Sequence, residues 1–281
     1  MVTLSNLTYK YRKGPVAVNR VTASIGSGIH LLLGENGAGK TTLLHLLAGL
    51  LRPQQGVCDI DGADVADRAP SVLDKVFFLP DSFECPFRNV NEMARCHAQF
   101  YPHFNASALR ENLHAFGMTG DERIKSLSLG TRRKAYVAYA LALGVELLLL
   151  DEPANGLDID SKKELRRMMS RCVTDEQTVI ISTHTVSDLQ SLYDGLMLLS
   201  HGDLLVCCPG WHIAGCLNFV AASSPVDGAI YQEPDAGLFR AILPNSGDSE
   251  VTDINYGLLY SAVMSDARDA ILTLINDDHE R

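Results

Sequence analysis

The chain has 281 residues, 46% of them apolar and 21% charged, and a formal net charge of −10. This length and apolar content predict one large globular domain, or a domain with an appendage. The negative charge argues against a protein that coats nucleic acid, because such binding requires many Lys and Arg side chains to neutralise phosphates.

The same composition predicts a cytoplasmic protein. No apolar run approaches the roughly 20 residues that a membrane-spanning helix needs. The N-terminal segment MVTLSNLTYK alternates polar and apolar residues like a strand and does not resemble a secretory signal. The seven cysteines, at irregular spacing, fit neither a disulfide framework nor a zinc ribbon.

The segment GENGAGKTT fits the phosphate-loop pattern G-x-x-x-x-G-K-[ST]. Before it, IHLLL predicts a buried strand, and after it KTTLLHLLAGLL has helical apolar spacing as far as Leu50. Such a loop points backbone N–H groups inward at the positive end of a helix dipole, so it binds a polyphosphate. We expect Lys40 to reach the β- and γ-phosphates and Thr41 to offer its hydroxyl to Mg²⁺. The loop residues expected to hold a nucleotide are Gly34, Asn36, Gly37, Ala38, Gly39, Lys40, Thr41 and Thr42.

Two helices are predicted between residues 82 and 125, where NVNEMARCHAQFYPHF and ASALRENLHAFGM have helical apolar spacing. Most aromatic residues of this stretch are expected in the core of a small helical subdomain. Further along, SLSLGTRRK places a Ser-x-Gly turn at the start of a basic helical segment, with Ser128 as a candidate N-cap. We assign Arg132, Arg133 and Lys134 to a solvated helical face rather than to phosphate contact.

The segment ELLLLDEP predicts a strand buried on both faces, as in a parallel sheet, that ends in two carboxylates. Ligands of open α/β sheets bind at this end of the strands. Asp151 is therefore expected to hold Mg²⁺ through water, and Glu152 to polarise the attacking water. The segment TVIISTHTVSDL predicts another core strand, a turn with His184 and the start of a helix. We expect His184 to reach the γ-phosphate and hold the attacking water in place.

After residue 210 the pattern changes to a small α+β appendage without recognisable chemistry. LNFVAAS, GAIYQEP and LFRAILP predict short strands separated by Ser, Pro, Gly and Asp. The chain closes with DINYGLLYSAVM and the apolar-periodic ARDAILTLIND.

The motifs GENGAGKTT, LSLGT, LLLLDEPANGLD and STH, in this order and at these intervals, resemble the ATP-binding subunit of an ABC transporter. The resemblance runs from the N-terminus to about Pro209 and is to short bacterial exporter-type subunits. It implies an α/β fold: a P-loop NTPase core with a mostly parallel sheet flanked by helices and an N-terminal antiparallel β part. The implied division is an ATP-binding catalytic core (1–81 and 126–209), a helical subdomain (82–125) and a C-terminal accessory region (210–281).

In that family two subunits face each other head to tail, and the signature turn of one closes over the ATP on the phosphate loop of the other. The resemblance implies that Ser128 donates its hydroxyl to the γ-phosphate and that Gly130 lets backbone N–H groups approach. Asp158, in ANGLD, resembles the residue that couples the two sites. Leu129 and Thr131 depart from the usual LSGGQ sequence of this turn.

The segment TYKYRKG resembles the part of the family whose aromatic ring stacks on adenine, with Tyr11 as the candidate and Tyr9 as the alternative. Related subunits carry a glutamine that senses Mg²⁺ and the γ-phosphate, whereas VFFLPDSFECP has Asp81 at that position. A carboxylate there can take a metal-bound water but adds negative charge near a triphosphate. Phe83 and Phe87 beside it are candidates for gripping a cytoplasmic helix of a membrane partner.

The resemblance implies an ATPase that uses ATP and Mg²⁺, dimerises around two ATP molecules and drives a separate membrane-spanning permease, with export favoured over import. It would lie in the cytoplasm, peripheral on the inner face of the cell membrane, without a nucleic-acid partner. Because the chain carries both halves of a site, a homodimer would be complete, and a heterodimer is the alternative. Two other functions stay open: a non-transport ABC-type ATPase for cluster assembly or DNA repair, and an ATP-binding module with weak hydrolysis because of Asp81.

Overall fold

The computed structural model describes residues 1–82, 84–245 and 252–277 of the chain. The strands are β1 (Val2–Lys10), β2 (Val16–Ile25), β3 (Gly28–Leu33), β4 (Gln55–Ile60), β5 (Ala63–Asp64), β6 (Val76–Leu79), β7 (Leu147–Asp151), β8 (Thr178–Ser182), β9 (Gly195–Ser200), β10 (Asp203–Pro209), β11 (Leu217–Ala222), β12 (Tyr231–Asp235) and β13 (Leu238–Pro244). The α-helices are α1 (Lys40–Leu47), α2 (Pro70–Leu73), α3 (Val90–His97), α4 (Ala106–Ala115), α5 (Leu129–Ala142), α6 (Ile159–Cys172), α7 (Gly210–Cys216), α8 (Tyr256–Val263) and α9 (Arg268–Asp277). Within the described ranges, no helix combines the length and the apolar character required to cross a bilayer.

A six-stranded sheet of order β10-β9-β3-β8-β7-β6 forms the centre of the fold. Its strands pair in parallel, except that β10 joins β9 antiparallel at one edge. Strands β7 and β8 are buried along their whole length, as expected of strands covered on both faces. The parallel pairing brings the carboxyl ends of β3, β7 and β8 to the same edge of the sheet. The predicted α/β class is therefore confirmed.

The N-terminal part is an antiparallel sheet of order β2-β1-β4-β5. It covers one face of the central sheet together with α1. Leu4 and Leu7 of β1 share a buried cluster with Leu43 and Leu47 of α1 and with Leu149 of β7. This cluster attaches the helix that follows the phosphate loop to both sheets.

Two predicted helical segments differ in the structure. The helix after the phosphate loop ends at Leu47, because the chain turns at Gly49, and Leu50 is 54% exposed. The prediction extended the helix too far because apolar spacing alone does not detect that turn. After the turn with His184, the chain forms 3₁₀ turns at Val186–Asp188 and Gln190–Leu192 instead of an α-helix.

The two helices predicted between residues 82 and 125 are present as α3 and α4. Each begins at an asparagine N-cap: Asn89 accepts a hydrogen bond from the Glu92 N–H at 2.8 Å, and Asn105 accepts from Ala108 at 3.0 Å. Helix α4 packs against α5, where the buried Asn112 Nδ2 donates to the Ala138 carbonyl at 3.3 Å. These helices are therefore held against α5, whose N-cap and first residues form the signature turn, Ser128 to Thr131.

Among the described residues of this stretch, most aromatic side chains are partly buried, and Phe100 is the exception. Tyr101 and Phe104 pack against the main core, as predicted, whereas Phe100 is 65% exposed. Phe87, a candidate for gripping a membrane partner, also packs against this core while remaining partly accessible. The other candidate, Phe83, lies outside the described residues.

The region after residue 210 contains the predicted short strands, which form a three-stranded antiparallel sheet of order β11-β13-β12. Helices α8 and α9 follow it. Leu259 of α8 and Ile271 and Ile275 of α9 belong to the same buried cluster as Leu196 and Leu198 of β9. The C-terminal region is thus continuous with the core of the central sheet and is not an independently packed unit.

Replacing Leu149 by alanine tests the burial of β7. Leu149 is fully buried, so its truncation removes apolar contacts and leaves a cavity. We expect the free energy of unfolding, measured by urea titration followed by circular dichroism, to fall by about 2–5 kcal/mol. The matched control Leu50→Ala truncates an exposed leucine and is expected to change this free energy by less than about 0.5 kcal/mol. Equal losses in the two variants would contradict the described packing.

Candidate active site

A cavity of about 520 Å³ lies where the phosphate loop meets the ends of β6 and β7. The residues around it come from four separate parts of the sequence: 11–17, 35–42, Asp81, and Asp151 with Glu152. Its lining includes most of the predicted site residues: Tyr11, Asn36, Gly37, Gly39, Lys40, Thr41, Thr42, Asp81, Asp151 and Glu152. The phosphate loop and the acidic pair therefore share one cavity.

The phosphate loop is shaped at Gly39, which directly precedes α1. Gly39 has φ 108°, in the left-handed region that favours glycine, and a Cβ there would collide with the Ala17 carbonyl oxygen. Ala38 is buried beneath the loop, and its carbonyl accepts a hydrogen bond from the Gly202 N–H at 2.9 Å. Gly34 lies outside this cavity and lines a neighbouring one. The loop thus packs closely against Ala17 at Gly39 and is hydrogen-bonded to Gly202 at Ala38.

Lys40 lies across the loop, with Nζ donating to the carbonyl oxygens of Gly34 at 2.6 Å and of Glu35 at 3.1 Å. Burial lowers the pKa of its ammonium group, while the negative charges of Glu152 and Asp151 oppose this shift. Lys40 is therefore a cation in an acidic cavity, and main-chain oxygens hold its ammonium group in position. An anionic ligand can replace these oxygens as the hydrogen-bond partner of Lys40.

Thr41 and Asp151 meet at the floor of the cavity. The Thr41 hydroxyl donates to Asp151 Oδ2 at 3.1 Å, and the Ser182 hydroxyl donates to Asp151 Oδ1. Asp151 is only 7% exposed, and hydrogen bonds to both of its carboxylate oxygens hold the side chain in place. A hydroxyl and a carboxylate at one point are the oxygen donors that Mg²⁺ prefers. These residues fit a magnesium ion that would take its other ligands from water and phosphate.

Glu152 is attached to the segment that follows β8. Its Oε1 accepts from the His184 main-chain N–H at 3.0 Å and lies 2.8 Å from His184 Nδ1, while Oε2 accepts from the Thr183 hydroxyl at 3.2 Å. Glu152 itself has φ 51°, a left-handed conformation that costs free energy and is concentrated at functional sites. The structure thus pairs the predicted general base with the predicted histidine, whose imidazole is largely exposed.

Tyr11 also lines the cavity; it is 44% exposed, and its hydroxyl lies 3.3 Å from Thr42 Oγ1. Tyr9, the alternative, is not part of the described lining and makes an edge-on contact with the Tyr11 ring at 5.0 Å. Of the two rings, only that of Tyr11 is positioned to contact a base in this cavity.

Asp81 also lines the cavity, but its carboxylate is already paired. Arg133 Nη2 lies 2.6 Å from Asp81 Oδ1. The assignment of residues 132–134 to a solvated face is therefore wrong for Arg133, which is 9% exposed and faces the ends of β6 and β7. A charge run is solvated only where the helix faces water, and the side of α5 that carries Arg133 faces the protein interior.

The signature turn does not border this cavity. Ser128 caps α5, accepting from the Thr131 N–H at 3.2 Å, which confirms its predicted N-cap role. A Cβ on Gly130 would lie 2.7 Å from the Gly156 carbonyl oxygen. Asp158 caps α6 through Ser161 at 2.8 Å, and the hydrogen bonds from Ser161 lower its pKa to about 2. These three predicted residues form a second group on the described surface, apart from the phosphate loop.

Sequence reasoning missed three contacts of the acidic residues: Ser182, Thr183 and Arg133. Ser182 and Thr183 are part of the motif STH, so the sequence already drew attention to them. Their contacts could be recognised only from the order of the strands, which places Ser182 in register with Asp151 across β8 and β7. Arg133 was missed because its partner Asp81 is 52 residues away along the chain.

Gly39→Ala tests the shape of the phosphate loop. The side chain would strain φ and collide with the Ala17 carbonyl, so we expect binding of a fluorescent ATP analogue to weaken by about 2–4 kcal/mol. The measurement is a fluorescence titration. Gly215→Ala is the matched control, because a Cβ at this helical position meets nothing within 4 Å. If both variants bind like the unaltered chain, the loop does not contact the ligand.

Comparison with known proteins identifies the family. The family described as ABC transporter matches residues 18–155. The ABC transporter ATP-binding protein NatA of Bacillus subtilis (strain 168) is 30% identical over 216 residues, which cover 73% of this chain and 88% of NatA. Some relatives are much longer. ATP-binding cassette sub-family A member 17 of Rattus norvegicus is 30% identical over 214 residues, yet this chain spans only 12% of its length.

Solved structures agree on the fold. The ATP-binding subunit of an ABC transporter superimposes with a TM-score of 0.67 at 22% identity, covering 76% of this chain and 91% of that one. A dimeric ATP-binding cassette in a post-hydrolysis state with ADP and Pi gives 0.63 at 22% identity, covering 74% of this chain and 98% of that one. Three of the four motifs follow strands that end at one sheet edge, and NatA is matched over most of its length. This chain therefore belongs to the family of ABC transporter ATP-binding proteins and is an ATPase.

Proposed function

We propose that this chain hydrolyses MgATP as the head-to-tail dimer of two copies and thereby drives a separate membrane-spanning permease, in the direction of export. One observation carries the proposal: the described cavity contains the phosphate loop and the acidic pair but not the signature turn. A site with both parts therefore requires the turn of a second copy.

The residues of the cavity suit in-line attack of water on a γ-phosphate. The loop N–H groups and Lys40 would hold and orient the triphosphate. Thr41 directly and Asp151 through water would hold Mg²⁺, which when bound would supply positive charge to offset that of the phosphates. Glu152 would accept a proton from the attacking water, with His184 fixing the direction of the carboxylate through the 2.8 Å contact. Positioning and charge compensation therefore account for the chemistry.

The surface around the signature turn supports a self-association. Leu129, inside the turn, is 81% exposed, and Ile159, at the start of α6, is 75% exposed. The two helix starts are linked by a hydrogen bond from Lys134 Nζ to Asp158 Oδ2 at 3.3 Å. Two large apolar side chains at adjoining helix starts are best explained as surface that a second copy covers.

The membrane partner and the direction of transport rest on the resemblance to short exporter-type subunits. A permease contact would place the complex at the inner face of the cell membrane. Co-purification of the tagged chain with a polytopic membrane protein supports transport. Recovery of the chain with cluster-assembly or DNA-repair proteins instead would favour the non-transport alternative.

Sedimentation of Glu152→Gln tests the dimer. The amide keeps the shape of the side chain but cannot accept a proton, so we expect hydrolysis to fall by about 100-fold or more and the closed pair to accumulate. The expected result is a monomer without nucleotide and a dimer with MgATP, measured by analytical ultracentrifugation. Glu176→Gln, in an exposed turn, is the matched control and should keep its activity. A Glu152→Gln chain that binds MgATP and stays monomeric would show that two copies do not complete the site.

Mixing two inactive variants tests whether the signature turn acts across the dimer. Lys40→Ala removes the phosphate contact, and Gly130→Ala forces the turn away from Gly156. Each variant alone should lose about 100-fold or more of its ATPase rate. A mixed dimer contains one intact loop facing one intact turn, so the mixture should regain activity in a phosphate-release assay. Absence of recovery would mean that loop and turn act within one chain.

A further inference from the structure

Asp81 and Arg133 form an ion pair at the wall of the ATP cavity. Arg133 Nη2 lies 2.6 Å from Asp81 Oδ1, and the Asn155 amide donates to the same oxygen at 3.4 Å. The Asp81 side chain is 46% exposed, whereas the Arg133 side chain is only 10% exposed. The carboxylate therefore faces the cavity, and the guanidinium stands behind it.

The guanidinium is fixed in place by main-chain oxygens. Its Nη1 donates to the carbonyl of Pro80 at 3.0 Å and to that of Asp151 at 3.4 Å, and its Nη2 also donates to the carbonyl of Asp81. These bonds join α5 to the ends of β6 and β7. Because an arginine stays protonated in proteins, a permanent positive charge is held next to the acidic floor of the cavity.

From this geometry we propose that Arg133 is a positioning residue for MgATP. It anchors the Asp81 carboxylate and neutralises its charge, so that an acidic residue can line a triphosphate site without repelling the nucleotide. Asp81 accordingly stays on Arg133 when MgATP binds and does not ligate the metal ion. The inference rests on the proposed function, because it presupposes that the cavity binds MgATP.

Removing the charge of Arg133, of Asp81 or of both is expected to change the affinity for MgATP in a defined order. Arg133→Gln leaves a bare carboxylate beside the phosphates, and we expect MgATP to bind about tenfold more weakly. Asp81→Asn leaves the guanidinium uncompensated, so MgATP should bind as tightly as in the parent or more tightly. In the double variant Asp81→Asn/Arg133→Gln both charges are gone, and affinity should return to within about twofold of the parent.

The experiment is isothermal titration of MgATP into these variants, each in the Glu152→Gln background so that hydrolysis does not intervene. Arg167→Gln is the matched control: it removes the same charge from α6, where Arg167 is 77% exposed and pairs only at 3.5 Å with Glu164. It should leave the affinity unchanged. Recovery of MgATP affinity in the double variant is the decisive result. If Arg133 had a purely structural role, the substitution Asp81→Asn would not restore the affinity lost in Arg133→Gln.

Three outcomes would overturn the inference. If Arg133→Gln binds MgATP as tightly as the parent does, the charge of the Asp81 carboxylate does not affect nucleotide binding. If the double variant binds MgATP as weakly as Arg133→Gln does, Arg133 acts only through its hydrogen bonds to the main-chain carbonyls. If Asp81→Asn weakens MgATP binding but leaves Mg²⁺-free ATP binding unchanged, Asp81 is a metal ligand.

A different result identifies failure of the proposed function itself. If the Glu152→Gln parent binds neither MgATP nor Mg²⁺-free ATP, the cavity is not an ATP site and the inference fails with it. Circular dichroism of each variant checks that it folds. Should Arg133→Gln not fold, the Asp81→Asn titrations with and without Mg²⁺ still separate charge neutralisation from metal ligation.

Discussion

The parallel pairing of β3, β8 and β7 is the constraint on which the site depends. In this pairing Leu32 of β3 stands beside Ser182 of β8, and Ser182 stands beside Asp151 of β7. Three strands in this register end together, so whatever follows them meets at one edge. The phosphate loop follows β3, Glu152 follows β7, and His184 follows β8. Residues more than 100 positions apart therefore reach hydrogen-bonding distance without any local signal that they will meet.

Helix α5 has two roles that its sequence alone does not separate. Its N-cap, Ser128, is exposed on a surface away from the ATP cavity of its own chain. Five residues later, Arg133 is buried against that cavity and contacts Asp81. Helix α5 thus connects the signature turn, which we propose completes the site of a second copy, to the arginine that pairs with the cavity residue Asp81.

The C-terminal region borders the active site as well as the core. A second cavity, of about 660 Å³, has Asn36 and His184 on one side and Glu233, Arg240 and Tyr260 on the other. Because α8 and α9 share their buried cluster with the central sheet, apolar packing holds this border together. A region without recognisable motifs therefore forms part of the surroundings of the predicted histidine.

What the sequence by itself determined were the features that depend on neighbours along the chain. The glycine pattern around Lys40, the leucine run before Asp151 and the N-cap at Ser128 are local, because dihedral preference, burial of a whole strand and helix capping act within a few residues. Tertiary structure alone decided which distant groups meet. Arg133, predicted on a solvated helix face, pairs with Asp81 in the structure, and Glu152 contacts His184. These contacts depend on strand order and on the direction in which a helix faces, and both are set by packing of the whole chain.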